Sequence, residues 1–287
     1  MPRHVRAEPR PWPWIFAILS VLVAAALVWG GISLLGGRPA ADSGSGQETP
    51  PATTTAATSA AVPTSTASST PTPTPTPTAK PALVPDYVLP PIQNGLAPVL
   101  TRVPTEQKVV FLTIDDGANK TPEELQILKD NDIKASLFLA QSFILDNPGF
   151  FKDFVAAGHK VEDHTLTHPL NLIKMPYAAQ KAEICGMADY VEQTYGRRPV
   201  FFRPPGGPYT DNVRRAVAEC GMKAVIDWEA KANAGGMDYQ VGQSLRPGEI
   251  VLMHFRKEFA ADMAAFLAAQ KAAGLQVVLL EDYLATG

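Results

Sequence analysis

The chain has five histidines, and two of them, His164 and His168, stand four residues apart in HTLTH. A neutral imidazole is the commonest side-chain metal ligand, and on a helix a spacing of four puts both rings on one side. Glu162 and Asp163 directly precede them. A surface or core pair of histidines would show the same spacing. A second cluster, TIDDG at 113–117, ends an apolar run in two adjacent carboxylates, Asp115 and Asp116. Neighbouring residues of an extended chain point to opposite faces, so one acid could hold a cation while the other takes a proton from water. The plainer account is a turn, because Asp-Gly is ordinary turn chemistry. Arg203 in FRPPGG could hold an acid, and His254 in VLMHF could donate a proton to a leaving group. A structural ion pair and a core histidine bonded to backbone are the respective alternatives. Together, an Asp/His/His set with an open position is a common catalytic metal arrangement: the ion polarises a carbonyl and acidifies bound water.

The elements that must position these groups alternate. KVVFLTIDDG is a buried strand, and TPEELQILKDND a helix with Thr121 as N-cap and Pro122 in its first turn. KASLFLA is a strand, residues 148–157 a helix closed by Gly158, and HKVEDHTLTH a short strand running into a polar segment. A long helix over 177–195 precedes the strand and loop VFFRPPGG. The helix DNVRRAVAECG, the strands MKAVIDW and GEIVLMHF, and the helix ADMAAFLAAQKAAG follow, leading to QVVLLEDYL. About seven alternations imply a parallel sheet with helical crossovers. Every chemical cluster falls at the C-terminal end of a strand, where sites assemble in parallel α/β folds, barrels included. The Pro-rich residues 83–105 are expected to strap the outside of the barrel.

Ahead of this part the composition changes. Residues 15–35 carry no charge, and as a helix they would span roughly 30 Å, one hydrocarbon core. Trp12, Trp14 and Trp29 lie near its ends; Arg3, Arg6 and Arg10 precede it, and only Arg38 closely follows. The positive-inside bias puts residues 1–14 in the cytoplasm and the rest outside the cell. A cleaved signal has an apolar core of only about 7–15 residues, so a single-pass membrane anchor is favoured over a secreted form. Residues 36–82, rich in Pro, Thr, Ala and Ser, contain PTPTPTPT and no aromatics. They predict a disordered linker, reaching on the order of 100 Å if extended as polyproline II. A net charge of -3 without a basic stripe argues against a nucleic-acid partner. No obligate protein partner is evident. Cys185 and Cys220 are not a CxxC pair, which excludes a zinc knuckle or a thioredoxin-like motif. Buried thiols and a disulfide are equal readings until export is considered; export, and their places on helices after successive strands, favour the disulfide.

Taken in order, TIDDG, HTLTHP, RPPGG and LMH resemble the polysaccharide deacetylases of carbohydrate esterase family 4 (CE4), the NodB homology domain, over about 108–284. With the anchor, the resemblance is to a membrane-anchored bacterial type. It implies a distorted (β/α)7 barrel for the domain 83–287, and a hydrolase that takes acetyl groups from peptidoglycan or a chitin-like N-acetylglucosamine polymer at the cell wall. It implies Asp115 as general base, Arg203 holding it, and Asp116, His164 and His168 binding a divalent metal. Zinc is the default, and cobalt or nickel would suit the same ligands. It implies that Pro205, Gly206 and Gly207 line the substrate groove, with an amide near Gly206 at the oxyanion. His254 is then the general acid, and Leu252 lines the pocket for the acetyl methyl.

Three positions depart from the family. Asp163 stands where it has Asn, an extra charge expected to serve as a hydrogen-bond acceptor behind the metal ligands. Gly206 stands where it often has an aromatic, leaving Tyr209 as a replacement. The fourth motif, usually DxxDW, falls on 231–235 and lacks both acids, since Asp227 and Trp228 belong by register to the preceding strand. Glu229 or Asp238 would have to replace the acid that tunes His254. Two alternatives follow: a weakly active or inactive glycan-binding homologue, and an O-acetyl esterase acting on a substrate such as acetylxylan.

Overall fold

The computed structural model describes residues 83–286. The anchor expected at 15–35 and the linker expected at 36–82 lie outside the described residues, among which no helix is long and apolar enough to cross a membrane.

The elements in chain order are β1 (Val99–Leu100), β2 (Val109–Asp116), α1 (Pro122–Asp130), β3 (Ser136–Leu139), α2 (Gln141–Ile144), α3 (Phe150–Ala156), β4 (Lys160–Asp163), α4 (Tyr177–Tyr195), β5 (Phe201–Phe202), α5 (Asp211–Glu219), β6 (Ala224–Ile226), β7 (Ala230–Asn233), β8 (Gly236–Tyr239), β9 (Glu249–His254), α6 (Phe259–Ala272), β10 (Gln276–Val277) and α7 (Leu280–Tyr283). Strand β2 organises the sheet. All its residues but the last are buried, because both faces of a parallel strand are covered; hence the unbroken apolar run. The sheet runs β1-β6-β5-β4-β3-β2-β9-β7-β8, with β10 beside the start of β2, and every pairing is parallel except β7–β8.

Alternation along β2 separates two packing layers. Leu112 and Ile114 join Leu137, Leu139, Val251 and Met253 beneath Leu128, Phe151, Phe154, Met263 and Phe266 of the covering helices. Phe111, on the other face, packs with Phe138, Phe201, Ile250, Leu280 and Tyr283. Helix α7 thus plugs the inside of the curl. A third cluster seats Ile184 and Ala188 of α4 and Val213 and Val217 of α5 against Phe202 and Val225. There Cys185 and Cys220 form a disulfide, their Cα atoms 5.0 Å apart.

The result is a curled, mostly parallel α/β half-barrel. No ladder joins β1 to β8 among the described residues, so the distortion of the barrel is an opening. The chain after β1 crosses it: Arg102 bridges Glu249, and the Val103 N–H donates to the Gly248 carbonyl at 2.9 Å. The strap departs from expectation. Leu83, Tyr87 and Leu89 pack on the inner cluster instead of the outer layer, and the Tyr283 hydroxyl lies 2.7 Å from Asp86, 3.0 Å from Thr105 and 3.1 Å from Gln107. The strap closes the N-terminal end of the curl.

Candidate active site

The inner face of β2 carries Thr113 and then Asp115, which is in register with His254 on β9 and with Phe138 on β3. Arg203 follows β5 and is wholly buried. Its guanidinium lies 4.2 Å from the Phe138 ring centroid and 5.5 Å from that of Trp228. Nη1 donates to Asp115 Oδ1 at 2.6 Å and to Thr113 Oγ1 at 2.8 Å, and Nε donates to the Ile226 carbonyl at 3.1 Å. The Thr113 hydroxyl donates onward to the Val251 carbonyl at 2.8 Å, which keeps its lone pair for Arg203. Stacked and bonded on several sides, Arg203 has no freedom to leave Asp115; charge-assisted pairs of this kind are the strong ones.

Strand alternation would turn Asp116 to the opposite face from Asp115. It does not, because the backbone at Asp116 takes φ 76°. This left-handed step turns the Asp116 carboxylate back towards the same site, where Oδ1 lies 3.5 Å from His164 Nε2 and 3.3 Å from His168 Nε2. The histidines also arrive by an unexpected route. HTLTH is not helical; Thr165 at φ 75° and His168 at φ 56° bend the chain. Left-handed backbone at a β-branched residue costs about 1–3 kcal/mol and persists only where surroundings over-determine it. Here Asp163 Oδ1 accepts the Thr165 N–H at 2.9 Å, and the Thr165 carbonyl accepts the Gln141 N–H at 3.2 Å. Asp163 is therefore a brace for the loop, and it makes no hydrogen bond to either imidazole among the described residues, contrary to expectation. Burial pushes its carboxyl well above the ordinary range.

The Arg203 carbonyl lies 2.7 Å from His164 Nδ1. A carbonyl only accepts, so Nδ1 carries the proton and Nε2 keeps its lone pair for a cation. One ligand atom from each of Asp116, His164 and His168 lies within 4.8 Å of the others. Asp116 Oδ1 is buried with no hydrogen bond, a costly arrangement unless a cation satisfies it. Burial by itself would raise the Asp116 carboxyl, yet the imidazoles of His164 and His168 beside it hold it well below the usual carboxylate range. Burial would lower His164, but Asp115 and Asp116 outweigh it and raise the imidazole. The pocket favours positive charge, and two nitrogens and an oxygen suit a divalent metal with an open position.

The predicted groove residues divide. Pro205 is buried, whereas Gly206 and Gly207 reach the surface in a turn at φ 72° and 96°. A Cβ on Gly207 would stand 3.1 Å from the Trp228 ring, so this close approach requires glycine. Leu252 is buried two residues before His254, on the same face of β9. Tyr209 is exposed. The pair Asp227 and Trp228 follows β6, as register predicted, yet joins the wall of the site. The Asp227 carbonyl faces Arg203 Nη2 at 3.4 Å, and burial, against the pull of Arg203, pushes the Asp227 carboxyl up to about 6. The legible signal was an acid and a tryptophan at a strand's C-terminal end.

His254 has less support than the resemblance implies. Its Nδ1 is buried without a partner. Glu229 is engaged by Thr101 at 2.5 Å and by Arg246, and Asp238 by Lys231 at 3.4 Å, so neither replaces the missing acid. Residues 231–235 belong to the β7–β8 hairpin. Burial lowers the His254 imidazole despite the opposing charges of Asp115 and Asp116.

The family model for polysaccharide deacetylase matches residues 102–225. An uncharacterized protein of Streptomyces coelicolor is 36% identical over 195 residues, covering 66% of this chain and 78% of its own. A peptidoglycan-N-acetylglucosamine deacetylase of Bacillus cereus is 28% identical over 202 residues, covering 65% and 92%. Among solved structures, a CE4 family pseudoenzyme from Bacillus anthracis superposes with a TM-score of 0.58 at 26% identity, over 66% of this chain and 69% of that one. A chitooligosaccharide deacetylase of Bradyrhizobium sp. is 31% identical over 154 residues, covering 50% of this chain and 69% of its own; with the family model spanning Asp115, Asp116, His164, His168 and Arg203, the chain belongs to the polysaccharide deacetylase family.

Proposed function

We propose that this chain is a metal-dependent hydrolase that removes N-acetyl groups from an N-acetylglucosamine polymer, either peptidoglycan or a chitin-like glycan. The observation that carries this reading is the convergence of Asp116, His164 and His168 on one point, with a buried Asp116 oxygen left for a cation. Asp115 and His254 stand beside it in register. The relative named for deacetylating peptidoglycan N-acetylglucosamine supports the substrate class.

When bound, a divalent ion (zinc by its donor set, with cobalt or nickel accepted by the same ligands) polarises the acetyl carbonyl and acidifies a water. Arg203 occupies Asp115 Oδ1 at 2.6 Å and so aims the other oxygen at the site, 3.7 Å from His164 Nε2. Asp115 takes the proton of the attacking water as its oxygen bonds to the carbonyl carbon. The amide of Gly206 serves the developing oxyanion, and Leu252 shapes the acetyl-methyl pocket. His254 gives a proton to the sugar nitrogen as the C–N bond breaks, leaving acetate and a free amine. Pro205 and Gly207 fix the groove wall. The same reading places the domain outside the cell, on an anchor over 15–35 and a tether over 36–82.

The unpartnered Nδ1 of His254 favours a second reading, a glycan-binding homologue of low activity. Full-length protein loaded with zinc and assayed for acetate release from N-acetylglucosamine oligomers separates the two. Acetate release supports the hydrolase. Glycan binding without release refutes it, and release from acetylxylan alone redirects it to an O-acetyl esterase.

A further inference from the structure

We infer that Glu183, on the second turn of α4, is a positioning residue for the metal-binding loop and sets the cation affinity of the site through His168. The inference rests on the metal reading of Asp116, His164 and His168.

The two histidines are held very differently. His164 is buried, and its Nδ1 is fixed on the Arg203 carbonyl at 2.7 Å. The His168 ring is partly exposed; it lies 3.3 Å from Asp116, with the rings of His164 and Phe143 at 4.9 and 5.2 Å between centroids. Among the described residues no hydrogen bond to Nδ1 orients the ring as a metal-bound imidazole is ordinarily oriented; the packing of Phe143 and the backbone are what hold it. Its place therefore depends on the backbone that delivers it, which at His168 is left-handed.

That backbone is gripped from α4. Glu183 Oε2 accepts the Thr167 N–H at 2.8 Å, and Oε1 accepts the Thr167 hydroxyl at 2.7 Å. The Glu183 carbonyl also accepts the Leu166 N–H at 3.2 Å. One residue thus takes three donors from the two positions just before His168. The neighbouring surface is shaped for the same loop: a Cβ on Gly186 would stand 2.6 Å from Leu166 Cδ1, so Leu166 would have to shift to make room for a larger residue. Between them, Cys185 is bonded to Cys220, which ties this part of α4 to the end of α5. The grip thus comes from an anchored ledge. Glu183 touches no reacting atom; it acts by holding Thr167, which holds His168.

The test is zinc affinity of the full chain, measured by competition with a chromogenic chelator, alongside thermal unfolding of the metal-free protein. Partners behind metal ligands typically contribute about 10–100-fold in affinity, and E183A is expected to lose affinity in that range. E183Q, which keeps one acceptor oxygen, should recover most of it. D189A is the control on the same helix, where Asp189 pairs with Arg198 at 2.8 Å; its affinity should stay within about twofold of the unmodified chain, a margin well below that range. In an H168A background, E183A should have no further effect. The inference is overturned if E183A binds zinc as the unmodified chain does, if D189A loses as much, or if the loss persists without His168. Should E183A fail to fold, E183D, shorter by one methylene, decides: reduced affinity supports the inference and unchanged affinity overturns it. An unmodified chain that binds no zinc overturns the metal reading as well.

Discussion

Replacing Arg203 by Met is the sharpest test of how the site is built. The substitution keeps an apolar stem against Phe138 but removes the cation, leaving the Asp115 carboxylate, 2% exposed, without its charged partner. It also strips donors from Thr113 Oγ1 and the Ile226 carbonyl. Breaking a buried pair from one side costs about 3–5 kcal/mol, because the abandoned charge stays desolvated. For a domain of about 200 residues that is a fall in Tm of roughly 6–20 °C. The measurement is denaturant or thermal unfolding in chelator, because a bound cation would itself stabilise Asp115. Adding D115N to R203M removes the stranded charge and should restore about half of the loss, a coupling readable in a double-mutant cycle. An R203M protein as stable as the unmodified chain, or a double variant less stable than R203M, would refute the claim that Arg203 neutralises a buried Asp115.

Three further outcomes follow from the geometry. If His254 is the acid, H254N should lower kcat/KM by about 10²–10⁴-fold; with burial depressing its imidazole, the activity of the unmodified enzyme should decline with rising pH from a midpoint below the ordinary histidine value, read from a pH–rate profile. His159 is buried, accepts the Ala135 N–H at 3.1 Å, and is pushed down to about 4 by burial. The folded state therefore favours neutral imidazole: its contribution, about 3 kcal/mol, is complete above the unfolded value near 6.5 and is lost as pH falls from there towards 4. Urea unfolding near pH 7 and near pH 5 should show this loss, and H159Q should reduce it. Cys185 and Cys220 are 35 residues apart, so the chain-entropy model assigns their bond about 4 kcal/mol; C185A/C220A should unfold at correspondingly lower denaturant, and reduction should add two hydrogens to the intact mass.

The sequence displayed most of the scaffold, and the misses have physical causes. Helix α4 runs Tyr177–Tyr195 as expected because Pro176 opens it and Gly196, at φ 79°, closes it. The clusters at 113–117 and 164–168 do converge, but through left-handed backbone at Asp116, Thr165 and His168; Asp and His visit that region more often than most residues, yet neither type requires it. A helical spacing was the wrong reason for the right neighbours. The β7–β8 hairpin escaped notice because its turn places Ala234 at φ 52° before Gly235, where Asn-Gly would have announced it. The segment QVVLLEDYL divides into β10 and α7, a short strand and a plug for the inside of the curl that only the tertiary structure reveals.

The strap and the site occupy opposite ends of one strand. Residues 83–107 are fastened at the end of β2 where that strand begins, through Tyr283 and through Gln107, whose side-chain amide donates to the Val84 carbonyl at 2.6 Å. Asp115 and Asp116 stand at its far end, about 25 Å away at the usual rise of a strand. Residue 83 therefore lies towards the pole opposite the one that carries Asp115 and Asp116. A pull on residue 83 would load the strap in shear across Tyr283 and leave the rim that carries Asp115 and Asp116 unloaded.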